Sequence, residues 1–70
     1  MEIREVLATN MRRYRRLAGL SQEELAHRAG LDRTYISALE RRQYAASVDV
    51  LAKLAKELRV SAADLLKLGE

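Results

Sequence analysis

Arg33, Thr34 and Ser37 set a guanidinium and two hydroxyls at spacings of one and three, which puts them on one side of a helix. Such a face offers hydrogen-bond donors and a methyl group where a buried helix would offer apolar surface. In a DNA major groove an arginine can grip guanine with two parallel hydrogen bonds. A threonine can meet a phosphate, a base edge or a thymine methyl, and a serine one turn on extends the reading. A second concentration of this chemistry lies upstream. Residues 1–18 hold five arginines against two glutamates and so account for the whole +3 charge, with four of them in RRYRR (Arg12, Arg13, Arg15, Arg16). Arginines gathered this way suit a polyanion, and they equally suit a solvated helix face.

Other chemistries lack their residues. There is no cysteine, and the single histidine, His27, has no second histidine to complete a zinc set. No acid or nucleophile is spaced to work with His27, so it reads as a surface residue on a polar helix face and catalysis is not expected. Ser21, Ser47 and Ser61 each precede a helical pattern and read as caps. The glycines are too dispersed to form a phosphate loop, and no cofactor is implied. No run approaches the ~18 apolar residues of a membrane span, and the first residues lack a signal-peptide layout. The expectation is a soluble cytoplasmic protein with no membrane partner.

The elements that must position these side chains follow from apolar spacing. Apolar residues recur at helical intervals throughout and β-branched runs are missing, so the fold class is all-α, in five helices. The first helix is expected over 2–18, with Ile3, Leu7, Met11, Tyr14 and Ala18 as its stripe and Gly19 as its stop. The S-Q-E-E sequence from Ser21 supplies a capping box for the second helix, which keeps Leu25, Ala26 and Ala29 inward and stops at Gly30. Asp32 caps the third helix, over about 32–41, with Ile36 and Leu39 inward. A polar loop leads to a fourth helix over about 47–58, capped by Ser47, with Val48, Leu51, Leu54, Ala55 and Leu58 buried. Ser61 and Asp64 open a short fifth helix carrying Leu65 and Leu66. A chain of 70 residues has room for one domain, which buries only about 60% of its unfolded surface.

The break at Gly30 then has a purpose. Two short helices joined by a tight glycine-containing turn form a helix-turn-helix, here about 21–41, in which the second helix enters the major groove. Ala26 and Ala29 let the backbones approach, and Leu31 and Ile36 close the angle. Ala38 is expected near the contact line, keeping the reading helix slim. Helix–glycine–helix corners also occur in all-α proteins that bind no DNA, so geometry alone leaves both possibilities open.

The stretch GLSQEELAHRAGLDRTYISALERR resembles the helix-turn-helix of the XRE/Cro family, the phage-repressor-like regulators, from about Leu7 to Leu66. Within it, LDRTYIS is most similar to the controller proteins of restriction–modification systems. The resemblance implies a compact five-helix DNA-binding domain whose partner is double-stranded DNA. Arg33, Thr34 and Ser37 match base-contacting positions. Gln22, Arg41, Arg42 and Gln43 match positions near the phosphate backbone, Gln22 also bracing the recognition helix, and Tyr35 matches one near the backbone or flanking bases. Arg15 matches an arginine paired with the glutamate at Glu40, a structural link whose broken form costs about 3–5 kcal/mol when one partner is left buried.

Family members often carry glycine where this chain has Arg42 and Arg59, and proline where it has Ala46. If Arg59 takes a positive φ, the strain is roughly 1 kcal/mol. One helix reads too few bases for selectivity, so a homodimer on half-sites about 34 Å apart is expected, held through Leu65, Leu66 and Leu68. Antitoxins and adaptor proteins use the same fold, so a protein partner on this surface is the alternative. A toxin or RNA polymerase contact has no residue pattern that marks it.

Overall fold

The computed structural model describes residues 2–68 and contains five helices, α1 (Ile3–Leu17), α2 (Gln22–Ala29), α3 (Arg33–Glu40), α4 (Val48–Leu58) and α5 (Ala62–Leu65). α2 packs against α3 and α4, α1 lies against α3 and α5, and α4 meets α5. Their shared core is built from Leu7, Met11, Leu25, Ile36, Leu39, Leu54, Leu58 and Leu65, with Ala26, Ala29 and Ala55 at the close approaches. Among the described residues there is no strand, and no helix is long and apolar enough to cross a membrane.

Helix starts follow the local chemistry of the sequence. Ser21 and Glu24 form the reciprocal capping box, Asp32 Oδ1 accepts from the Thr34 amide at 2.7 Å, and Ser47 Oγ accepts from the Val50 amide at 3.1 Å. Ser61 and Asp64 repeat the capping box on α5. Helix ends share one device. After each of α1 to α4, one residue turns to positive φ, its amide bonds back three residues and the next amide bonds back five. Gly19 (φ 72°) and Gly30 (φ 68°) do this without strain, whereas Arg42 (φ 65°) and Arg59 (φ 59°) do it with a Cβ in place. Both arginines standing where glycine is common therefore keep the left-handed turn.

Several expected placements shift. Ile3 is 56% exposed and Val48 is 82% exposed, because both flank an open cleft between the start of α1 and the start of α4 that no element covers. Ala18 is exposed beyond the end of α1, so the apolar stripe stops at Tyr14. α5 packs on α1 and buries Val6 and Asn10. Ala38 is buried, not on the contact line, because α3 is covered on both flanks by α1 and α2. Leu65 is fully buried in the core and so is removed from the expected dimer surface. Leu66 (38% exposed) and Leu68 (66% exposed) remain outside.

Candidate nucleic-acid interface

The outward side of α3 is built by its inward side. Ile36 and Leu39 are buried, Ala38 and Glu40 with them, and this fixes the helix's rotation. Arg33 and Thr34 then fall on the exposed first turn and Ser37 half-exposed one turn later. The Asp32 cap and the Gly30 turn hold that first turn in place, since Leu31 bonds back to Ala26 at 2.8 Å across the corner. The side chains of Arg33 and Thr34 make no hydrogen bond to another described residue. Ser37 Oγ accepts a hydrogen bond from Arg41 Nη1, and Arg41 Nη2 donates to Gln43 Oε1 at 3.1 Å.

The other end of α3 is a closed polar knot. Arg15 donates to Glu40 through Nε (2.7 Å) and Nη2 (3.0 Å), a bidentate pair, and through Nη1 to the Leu20 carbonyl at 3.0 Å. Gln22 Nε2 donates to Glu40 Oε1 at 3.0 Å, and Arg12 Nη2 donates to the Glu40 carbonyl at 2.8 Å. Glu40 is 4% exposed, and burial pushes its carboxyl pKa upward. The hydrogen bonds from Arg15 and Gln22, with the charges of Arg15 and Arg12, outweigh that and hold it below the ordinary value. Arg15 moves the opposite way, its pKa raised by the hydrogen bond to Glu40. The knot ties α1 and the start of α2 to the end of α3, which sets the angle at which α3 projects.

The remaining expected backbone-contact residues surround the α3–α4 loop. Tyr35 is half-buried, its hydroxyl donates to the Ala45 carbonyl at 3.4 Å and its ring lies 6.3 Å from that of Tyr44, so it braces the loop from the helix side. Arg42 is exposed and pairs at 3.7 Å with Glu5 on α1. Gln43 is exposed beside it. Thus α3 and the loop bring Arg33, Thr34, Ser37, Arg41 and Gln43 onto one region, while Arg42 reaches toward α1.

Two polar contributors escape sequence reasoning. Asn10 is 3% exposed, and its Nδ2 donates to the carbonyls of Leu65 (2.9 Å) and Lys67 (2.8 Å) and more weakly to that of Asp64 (3.3 Å), tying α5 to α1. Its only signal is an amide beside the apolar stripe of α1, between Thr9 and Met11. Arg12 reads in the sequence as one of four surface arginines, yet it caps the carbonyl end of α3. His27 is exposed, and among the described residues no group of His, Cys, Asp and Glu could hold a metal ion.

A cleft of ≈ 230 Å³ with no α3 residue in its wall is lined by Ile3, Ala45, Ala46, Val48, Leu51 and Leu66 among others. It collects most of the exposed large aliphatic side chains.

Comparison with known proteins agrees with this geometry. Residues 11–65 match the model of a family described as helix-turn-helix. A hypothetical transcription factor of Neisseria meningitidis is 49% identical over 65 residues, covering 93% of this chain and 61% of its own length. The control protein C.SmaI of Serratia marcescens is 47% identical over 66 residues, covering 94% of this chain and 79% of its own. The crystal structure of the Neisseria protein superimposes with a TM-score of 0.92 at 48% identity over 94% of this chain and 76% of that one. That of the restriction–modification controller protein C.AhdI of Aeromonas hydrophila gives 0.85 at 37% identity, over 89% of this chain and 94% of that one.

Proposed function

We propose that this chain, which belongs to the XRE-type helix-turn-helix family, is a DNA-binding transcriptional regulator that reads one specific operator through α3 as a homodimer on an inverted repeat. One observation carries the reading. On a helix whose inward side is fully packed and hydrogen-bonded, the outward side keeps the donors of Arg33 and Thr34 unengaged. Polar groups carried on a fixed helix backbone and left without partners are what direct readout requires. Arg33 addresses a guanine, Thr34 a neighbouring base edge or thymine methyl, and Ser37 the next step along. Arg42 and Gln43 meet phosphates from the α3–α4 loop, which Tyr35 braces from the helix side. Gln22 does so at the amino end of α2, where free backbone N–H groups favour an anion. The likeness to two controller proteins supports a role of that type.

Size supports the homodimer. The Cα trace extends 29 Å in its longest direction, less than the ~34 Å between successive half-sites, so one copy serves one half-site. The second copy covers the apolar cleft of Ile3, Val48, Leu51 and Leu66, with Leu68 beside it in sequence. The test is selection of bound sequences from a random duplex pool at near-physiological salt. An inverted repeat with half-sites about one helical turn apart is the expected product. Weak, salt-sensitive binding without enrichment would overturn the reading and favour a protein partner on this surface.

A further inference from the structure

Arg33, Ser37 and Arg41 follow one another at intervals of four along one edge of α3. Side chains on a helix lean toward its N-terminus, so Arg41, just past the last turn, folds back over the turn before it. Its Nη1 donates to Ser37 Oγ, while Nη2 is steadied by Gln43 Oε1 at 3.1 Å. This contact fixes what Ser37 can do. A serine hydroxyl carries one proton and two lone pairs. With a guanidinium N–H on its oxygen, the hydroxyl is left with its proton to give, and no described residue receives it. The adjacent positive charge makes it a stronger donor. Arg41 spends one N–H on each terminal nitrogen and keeps a second on each.

Two donors therefore stand side by side on the outer edge of α3, one turn beyond Arg33. Guanine alone presents two adjacent acceptors in the major groove, N7 and O6. Adenine pairs an acceptor with a donor, thymine an acceptor with a methyl group, and cytosine shows a donor. Ser37 has a short side chain that cannot leave the helix surface, and Arg41 is tied to it. The pair thus reaches what α3 itself touches, the floor of the groove, and not the phosphates at its rim. We propose that Ser37 and Arg41 form a composite donor pair that reads a single guanine in each half-site, which moves Arg41 from the expected backbone set to the base-reading set. The proposal rests on α3 entering the major groove.

Affinities for the selected operator, for a duplex carrying 7-deazaguanine at the assigned guanine, and for a random duplex would be measured with the unmodified protein, Ser37→Ala, Arg41→Ala and Arg41→Lys. Both alanine variants should lose preference at the same base pair, each by about tenfold or more on the operator, and leave the random duplex nearly unchanged. Arg41→Lys keeps the charge but not the paired geometry, and should lose the preference too. The 7-deazaguanine duplex, which lacks N7, should weaken the unmodified protein and weaken Ser37→Ala no further. If Arg41→Ala weakens every duplex alike, lowers the salt slope by about one and keeps the base preference, Arg41 is a phosphate contact and the pairing is wrong. If the unmodified protein selects no site, the groove reading fails together with it.

Discussion

At the C-terminal end of α3, the buried Glu40 receives hydrogen bonds from Arg15 and Gln22 and its carbonyl receives one from Arg12. At the N-terminal end of the same helix, Asp32 caps the first turn through the Thr34 amide, yet the side chains of Arg33 and Thr34 spend their donors on no described residue. Residue type does not separate these ends, since arginine serves at both. Burial and satisfaction do. A buried, saturated polar cluster holds the fold, because removing one member strands the rest. An exposed and unsaturated one on a fixed helix is available to a ligand, because its removal strands nothing.

The largest effect is expected where the contrast is sharpest. Glu40→Ala leaves Arg15, only 11% exposed at its side chain, without its partner and should lower stability by about 3–5 kcal/mol. That is a large share of what a domain this small possesses. Urea unfolding checks it, and an unmoved midpoint would show that the knot holds nothing. Acid should act on the same group. Glu40 has a depressed pKa when folded, so its contribution is complete above the unfolded value of about 4.3 and is lost as pH falls through the folded value. Glu24, lowered by the Ser21 amide and hydroxyl, and Asp64, lowered likewise by Ser61, share that sign at the surface. Melting temperature should be level from about pH 5 to 8 and drop below about pH 4. Glu40→Gln should melt lower at neutral pH and show a shallower acid drop.

A smaller effect separates the two kinds of helix end. Arg59→Gly should stabilise by about 1 kcal/mol, because it relieves a positive φ and the side chain is exposed. Gly30→Ala should cost about as much with nothing within 4 Å of the new Cβ, the strain being conformational. Equal midpoints for both variants and the parent would remove backbone strain from the account. The smallest change belongs to Arg42→Ala. Its exposed pair with Glu5 contributes little, so stability should hold, while binding weakens on all sequences alike and the salt slope falls by about one. An unchanged slope would take Arg42 off the phosphate backbone.

What the sequence made legible was what neighbours in the chain decide. Ser21 and Asp32 accept from amides two or three residues on, and the turn at Gly30 lets its own and the next amide bond back to carbonyls three and five residues before, so the helix-turn-helix boundaries could be read within a residue or two. The facing of Ile36 and Leu39 followed from spacing. Other features depend on partners far along the chain. Asn10 bonds carbonyls 54 to 57 residues away, and Arg12 one that is 28 residues away, and no local pattern announces either. Ile3 and Val48 fit the apolar period but lie exposed, because periodicity states which side of a helix is apolar and not whether anything covers it. The left-handed turn at Arg59 was legible only against a family in which glycine is common there, and the one at Arg42 was not anticipated. The Arg15–Glu40 pair likewise came from resemblance, since its residues lie 25 apart.

The central claim is that α3 divides reading from holding, and Arg33→Ala tests it most directly. The quantity to measure is the ratio of affinities for the selected operator and for a random duplex, at one fixed salt concentration, with the melting temperature taken alongside. The account predicts that the ratio falls by the equivalent of about 1–3 kcal/mol and that preference relaxes at one base pair, with melting unchanged. An equal loss on both duplexes would make Arg33 a phosphate contact and would contradict the assignment of α3's outer face to base reading.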